Sequence, residues 1–498
     1  MTTSMNETER KYEAASGTNL PELSHVPGVA AEAGPEQLDL EAVYFDTDDL
    51  RLARAGLTLR RRTGGDDAGW HLKLPKVNDT REELRLPLGR ATKKPPKDLA
   101  SLVRVHTRGA DLGPVAQIHT SRKRWQLVDS DGQLLVEVVD DVVTAQTMGS
   151  STTINTWREI EVELGESGTP DLLDTVEERL GDAGIHRSSS SSKLAQLLGD
   201  RIGEKPKTPK AGRKATAGDV VLAYLHEQTA ALKHHDPRVR RQEHDAVHQM
   251  RIATRRMRSA LQAFGKVVDR DRTRELTDEL KWVSNALGQS RDLEVLRMRF
   301  EDAMHELEPE IVLGDVAARL TRYFAPLEAK AHKDSIAALD SPRYFELLDG
   351  IDRLLADPPL TELAGEPARD VLPGLITKAY RRLEERTEHA LELDAGNDRD
   401  LALHDCRKSA KRLRYATEVS GPVFGKAAKS YRKQAKEVQT LLGEHQDAYV
   451  ARPVLRHLGA GDENGFTFGV LHGRETAIMR RTEERYPKLW ANLGKPKF

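Results

Sequence analysis

Through the first two hundred residues, apolar and polar positions alternate with a period of two. LEAVYFDT, LTLRRRTG, GWHLKLP, REELRLPL, SRKRWQLVD, QLLVEVVDDVVTAQ and TWREIEVELG each carry it, and GGDDAG, SDG and GESGTP supply turns. This pattern predicts β-strands. Helical periodicity interrupts it at Pro96 to Val105 and at Leu172 to Ala183. Many antiparallel strands in one domain, residues 1–200, predict a barrel or a sandwich. Residues 201–214, RIGEKPKTPKAGRK, lose all apolar periodicity and carry two prolines and two glycines, the composition of a linker. From Ala215 the period becomes helical. LAYLHEQTAALKHH, AVHQMRIATRRMRSALQAF, LTDELKWVSNALG, ALHDCRKSAKRLRYATEV and YRKQAKEVQTLLG are amphipathic. Residues 215–498 are therefore predicted all-α, and PPLTELAGEP after Asp357 divides them into about 215–357 and 358–498. The fold class is α+β multidomain.

The helical part repeats itself. AVHQMRIATRRMRSA is answered by ALHDCRKSAKRLRYA, and LKWVSNALGQSRDLEV by AKEVQTLLGEHQDAYV. His248, Arg251, Arg255, Arg256 and Arg258 have the same spacing as His404, Arg407, Lys411, Arg412 and Arg414. Leu287-Gly288 and Asp292 likewise match Leu442-Gly443 and Asp447. Two similar halves about a pseudo-twofold axis are expected.

At about 100° per residue, His248, Arg251, Arg255 and Arg258 form one narrow stripe, while Met250, Ala253, Met257, Leu261 and Phe264 face the other way. The second copy does the same, with Cys406 and Leu413 opposite the cations and Arg256 and Arg412 set to one side. A solvated charged face would carry acidic partners four residues along, and these stripes have almost none. Uncompensated cations at one-turn spacing call for a polyanion. Arginine suits phosphate because its fork of donors binds two oxygens, and the histidines can add a hydrogen bond. A metal site among His234, His235, His244 and His248 is disfavoured, since no carboxylate cluster stands at ligand spacing.

The β part supplies carboxylates. In ETERK, Glu7, Glu9 and Lys11 share one strand face, and in REIEVEL so do Glu159, Glu161 and Glu163. Neighbouring carboxylates repel unless a cation lies between them, and oxygen ligands suit Mg2+ or Mn2+. Arg60 with Arg62, Lys73, and Arg122 with Arg124 provide same-face cations; Glu137 and either Asp140 or Asp141 add acids. A barrel with its polar face inward would hold a phosphate chain and metal together. Surface strands with mixed charge are the plainer alternative. Asp46 and Asp48 are read as turn caps, and Trp70 and Trp125 as packing.

Composition narrows the classes. The chain has 498 residues, 31% charged and 5% aromatic, with a net charge of -2. That balance argues against a general nucleic-acid coat, yet it conceals basic segments from His234 to Arg274 and from Arg399 to Lys436. Sparse aromatics disfavour single-strand reading of RNA or DNA. No apolar run reaches the ~18 residues of a membrane span, and the N-terminal segment lacks a signal's apolar stretch. The single cysteine, Cys406, excludes an intrachain disulfide and fits a cytoplasmic location; its apolar helix side predicts a buried, inert thiol.

Residues 7 to about 198 resemble a CYTH domain, the triphosphate tunnel metalloenzyme fold. The resemblance rests on ETERK, VYFDTDDLRLARAGLTLRRR, LKLP, REIEVEL and Ser192-Lys193. Residues 215 to about 456 resemble a CHAD domain through His248, His404 and the basic residues that follow each. The first resemblance implies an eight-stranded antiparallel tunnel that binds triphosphates with divalent metal, members hydrolysing triphosphate and some cyclising ATP. It implies Glu7 and Glu9 as metal ligands assisted by Glu159 and Glu161, and Lys11, Arg60, Arg62, Lys73, Arg122, Arg124 and Lys193 as phosphate ligands. The second implies inorganic polyphosphate on the basic helix faces, and with it association with polyphosphate granules. A metal-dependent triphosphatase joined to a polyphosphate-binding module is the expectation. A non-catalytic polyphosphate binder is the main alternative; ATP cyclisation and nucleic-acid binding are the weaker ones. The segment AASGTNLPELSHVPGVAAEAGPE is expected to be loop.

Overall fold

A computed structural model of the chain describes residues 3–15, 17–75, 78–89, 93–149, 152–203, 207–460 and 465–498. The chain forms two compact units, Met1–Lys205 and Pro206–Phe498. Of the expected linker, residues 204–206 lie outside the described residues, while Arg201 and Ile202 belong to a short turn of the first unit, where Arg54 Nε donates to Ile202 O at 3.1 Å.

The first unit is a closed antiparallel barrel of eight strands: β1 (Thr3–Glu13), β2 (Ala31–Asp46), β3 (Thr58–Thr63), β4 (Gly69–Lys73), β5 (Thr80–Pro87), β6 (Gly113–Val128), β7 (Leu134–Thr147) and β8 (Ile154–Leu164). Around the wall they run β5-β4-β3-β2-β6-β7-β8-β1, and β1 closes the ring by pairing with β5. The residues His186–Arg187 add a short extra strand to the end of β1. One expectation is corrected: β2 begins at Ala31, so the last six residues of the segment read as loop are strand.

Alternation turns this barrel inside out. Ile160, Val162, Val136, Val138 and Tyr12 face outward and are buried beneath Leu173, Val176 and Leu180 of the helix Pro170–Asp182. On the far wall Leu59, Trp70, Leu72 and Leu84 pack on Leu99 and Leu102 of the helix Lys97–Leu102. Each buried leucine contributes about 1.5–3 kcal/mol. The intervening positions carry charge and point into the lumen.

In the second unit, the amphipathic helices form as their periodicity requires. The helix Ala217–Arg240 opens with a capping box in which Thr216 and Asp219 satisfy each other's backbone N–H. The two ladder helices are Ala246–Ala263 and Asn397–Val419. Met250, Ala253, Met257, Leu261 and Phe264 are all buried, as are Cys406, Ala410 and Leu413. Leu296, Phe300 and Ala303 stand in the repeat at the same spacing from Gly288 as Ala451, Leu455 and Leu458 do from Gly443, and all six share one core cluster. Equivalent positions meeting in one core is the packing a pseudo-twofold produces. The copies differ in helix continuity: Lys426–Ala460 is a single helix, whereas its counterpart breaks at Leu287 into Arg274–Ala286 and Gly288–His305.

Because each unit has its own core, proteolysis between residues 204 and 214 is expected to yield two fragments that each unfold cooperatively. Calorimetry of the separated fragments checks this; loss of either transition would reveal dependence on the other.

Candidate functional site

The lumen holds a cavity of about 250 Å³ lined by Glu7, Glu9, Lys11, Arg60, Arg62, Lys73, Arg122, Arg124, Glu161 and Lys193. Glu159 lies just behind this surface, buried. Strand pairing sets these groups side by side: Glu9 opposite Glu163, Lys11 opposite Glu161, and Arg122 opposite Asp141. Lys193 arrives differently. Ser192 caps the helix Lys193–Leu198 by accepting from Ala195 N at 3.0 Å, and Leu194, Leu197 and Leu198 are buried against Ala42, Ile118 and Val143. Anchoring those leucines leaves Lys193 facing the tunnel.

Two acidic groupings result. Asp141, Glu159 and Glu161 bring carboxylate oxygens within 4.8 Å of one another. The Lys193 ammonium stands among them, 2.9 Å from Asp141, 2.7 Å from Glu159 and 2.9 Å from Glu161. Lys11 contacts Glu161 and stands 3.8 Å from Glu9. Glu7 and Glu9 belong to a different neighbourhood. Both Glu7 oxygens accept from Lys73, at 2.7 and 2.6 Å, and Glu9 is held by Arg81. Glu9 and Glu137 both flank Glu163 across the sheet.

The electrostatics follow from burial opposed by countercharge. Burial resists ionisation of Glu9, but Lys11, Lys73 and Arg81 together hold it down at about 2. Burial resists that of Glu161 as well, and Lys11, Lys193 and Arg122 hold it well below the usual range. Burial would neutralise Lys193, and Asp141, Glu159 and Glu161 keep it charged. Glu163 is the exception: burial, then Glu7, raise it to about 8, and among the described residues no basic side chain pairs with it. Glu163 is therefore largely protonated at neutral pH, in the negative field of Glu7, Glu9 and Glu137.

The basic side has its own partners. Arg122 grips Asp141 through two bonds of 2.8 and 2.7 Å. The β3–β4 turn carries Asp66 and Asp67 onto the lumen arginines: Asp66 accepts from Arg124 at 2.9 Å, and Asp67 contacts Arg62. Gly64 in that turn has φ +80°, and a Cβ there would strike Asp39 O. Arg60 reaches Tyr44 Oη at 3.4 Å.

In the helical unit the two ladders converge. Arg255 lies in the field of Arg251, Arg407 and Arg414, and Lys411 in that of Arg407, Arg255 and Arg251. Burial, then these guanidiniums, bring Lys411 down to about 7. Burial first also lowers His248 and His404, so both imidazoles are neutral at neutral pH. The expectation of almost uncompensated stripes needs correction. Arg251 donates to Gly288 O at 2.9 Å and Asp292 at 3.0 Å, Arg407 lies 3.5 Å from Asp447, and Arg256 pairs with Glu418 at 2.7 Å. These acids come from other helices, where spacing along one helix does not find them. Among the described residues, Arg255, Arg258, Lys411 and Arg412 have no carboxylate partner. Arg414 stacks 4.4 Å over Tyr415.

The CYTH domain family matches residues 5–198, and the CHAD domain family matches residues 223–456. Uncharacterized proteins from two Mycobacterium tuberculosis strains are 37% identical over 98% of this chain and 96% of their own. This chain is a CYTH–CHAD protein. Among solved structures, PptA from Streptomyces chartreusis aligns over 56% of this chain and all of its own, with 24% identity and a TM-score of 0.47. The CHAD domain from the plant Ricinus communis aligns over 59% and 99%, with 23% identity and a TM-score of 0.45.

Several lumen residues of this CYTH unit went unmarked in the sequence. REELRLP is recognisable as strand β5, but its alternating Arg81, Glu83 and Arg85 were the overlooked signal. Glu83 is fully buried, between His71 at 2.7 Å and Arg85 at 2.5 Å. Register settles the other ambiguity: Asp141 faces inward, while Asp140 pairs outward with Arg158 at 2.7 Å. Asp46 caps the turn after β2 as expected, accepting from the backbone N–H of Thr47, Leu52 and Ala53.

Since Asp66 and Asp67 offset the charge of Arg124 and Arg62 in the lumen, Asp66→Asn with Asp67→Asn is expected to tighten inorganic triphosphate binding by roughly two- to fivefold at low salt. Calorimetric titration checks this, and the gain should shrink as salt rises.

Proposed function

We propose that the tunnel binds and hydrolyses a terminal phosphoanhydride of inorganic triphosphate or polyphosphate, while the helical unit binds the longer chain. The observation that carries this reading is the lumen's composition. Arginines and lysines from five strands and one helix converge on a narrow cavity beside buried carboxylates, and Tyr44 is its sole aromatic among the described lining residues. A nucleobase would have almost no stacking surface, so an inorganic chain fits better than ATP for cyclisation.

Asp141, Glu159 and Glu161 offer hard oxygens at close range, and the field of Glu7, Glu9 and Glu137 that keeps Glu163 protonated also favours a cation. This donor set fits Mg2+ or Mn2+. Such an ion, when bound, would polarise a phosphoryl oxygen and lower the pKa of water. The chain's own contribution is positional: Arg60, Arg62, Arg122, Arg124 and Lys73 would bind phosphate oxygens and offset charge as it develops. A specific observation favours a second reading. The Lys193 ammonium already satisfies the same three carboxylates, so the tunnel could serve as a metal-independent polyanion receptor.

Phosphate release from inorganic triphosphate separates the two. Turnover is expected with Mg2+ or Mn2+ and not with chelator, and Arg60→Ala or Glu161→Gln is expected to lower kcat/KM by at least about a hundredfold. Binding without turnover in every metal would establish the receptor reading.

For the helical unit, affinity is expected to rise steeply with polyphosphate length, then level off once the merged ladders are covered, and to fall with salt. Arg251→Ala with Arg255→Ala, and Arg407→Ala with Lys411→Ala, should weaken long chains to similar extents. Lys411 is charged below pH 7 and largely neutral above it. Binding should therefore weaken as pH rises from 6 to 8 (about one unit either side of that midpoint), and Lys411→Arg should flatten the profile. Titration with chains of graded length at several pH values checks both.

A further inference from the structure

A second cluster of chemically able side chains lies in the helical unit, one turn before His404 at the start of the second ladder. His445 on the helix Lys426–Ala460 is 2% exposed. Its Nε2 stands 3.2 Å from Asp400 Oδ1 and 3.4 Å from Glu483 Oε1; neither contact is well aligned for a hydrogen bond, although Asp400 draws stabilisation from the His445 ring. The three residues come from three different helices, and their ligand atoms all lie within 4.8 Å of one another. We propose that Asp400, His445 and Glu483 form a transition-metal site of the zinc class, with the fourth position taken by water.

Geometry argues first. A tetrahedral ion with bonds of about 2.0–2.1 Å spaces its ligands about 3.3–3.4 Å apart. The two distances from Nε2 match that spacing, and its poor alignment with either oxygen fits a lone pair aimed between them. The donor set argues second. One imidazole nitrogen with two carboxylates suits Zn2+ or its analogues, whereas Mg2+ takes oxygen alone. Charge is arranged to permit it. Arg399 Nε lies 3.8 Å from Glu483 Oε2, the oxygen turned away from His445, which leaves Oε1 to the ion. Arg452 lies near Asp400 and offsets part of the site's negative charge, so moderate rather than extreme affinity follows.

The repeat supplies an independent argument. In the first copy the position of His445 is Ser290 and that of Asp400 is His244. A role common to both halves, such as packing or ladder placement, would not need this trio in one half alone. The site is also distinct from the tunnel carboxylates, which belong to the other unit.

Co2+ is the probe, because its four-coordinate complexes absorb visible light far more strongly than six-coordinate oxygen sites. The full-length protein, stripped with chelator, is titrated with Co2+ and then challenged with Zn2+. A strong visible band that saturates at one equivalent and is displaced by Zn2+ is expected. It should persist in the tunnel variant Glu159→Gln with Glu161→Gln, vanish in His445→Gln, and weaken at least about tenfold in affinity in Glu483→Gln. No such band in the wild-type protein overturns the proposal, as does a band that survives His445→Gln or disappears with the tunnel variant. If His445→Gln fails to show wild-type helical circular dichroism, Glu483→Gln and Asp400→Asn decide, and unchanged Co2+ affinity in both overturns it.

Discussion

A charge taken out of water must be met by countercharge within a few ångströms, or the group gives up its ionisation. That constraint shapes the tunnel. Its lumen is a β-barrel interior filled with ions in place of aliphatic side chains. It holds because strand register deals acids and bases to adjacent positions: Lys11 opposite Glu161, Arg122 opposite Asp141, Glu7 opposite Arg81. The hydrophobic stabilisation such a barrel lacks inside is supplied outside, where helices cover Tyr12, Ile160 and Trp70. Inversion of the usual barrel is thus one consequence of where the charges stand.

The helical unit meets the same constraint only in part. Asp292 and Asp447 each meet the arginine one turn into their ladder, and the glycines at 288 and 443 let the guanidinium lie against the facing helix. A Cβ at either glycine would come within 3.4 to 3.5 Å of that guanidinium. Further along, Arg255, Arg258 and Arg412 share a half-buried surface with other cations. Arginine remains protonated under such crowding, whereas lysine yields. The exchange of Arg255 for Lys411 between copies therefore matters: it places one titrating amine among groups that do not titrate, where the two ladders meet.

Most of this was legible because it was periodic. Period two put Glu7, Glu9 and Lys11 on one face, and the same rule applied to β5 would have added Arg81, Glu83 and Arg85. Period 3.6 separated Arg251 and Arg255 from Met250 and Met257, whose burial the structure bears out. What stayed hidden depends on contacts far apart in sequence. Choosing Asp141 over Asp140 needed the β6–β7 register. Attaching Asp66 and Asp67 to Arg124 and Arg62 needed the bend of one turn. His445 reads as an ordinary polar position on a helix until Asp400 and Glu483, each tens of residues away, are brought to it. The start of β2 was missed for a local reason: AAEAGPE, with its glycine and proline, carries the composition of a loop while pairing with β6 across an irregular register.

Lys193 concentrates the chemical question in one atom. Its ammonium touches all three carboxylates, and Lys11 on Glu161 and Arg122 on Asp141 complete the balance of three cations against three acids. A divalent cation would have to displace the ammonium, since both need the same oxygens. Release would cost little if a phosphate chain entered at the same time, because the freed ammonium could turn to a phosphate oxygen across the lumen. Metal and anion would then bind cooperatively, each removing a penalty the other faces. Without phosphate, the lysine would hold the tunnel closed to metal. Without metal, the carboxylates whose field keeps Glu163 protonated would oppose an entering anion. Both halves of that coupling arise from the charge pattern of the strands and the one helix that delivers Lys193.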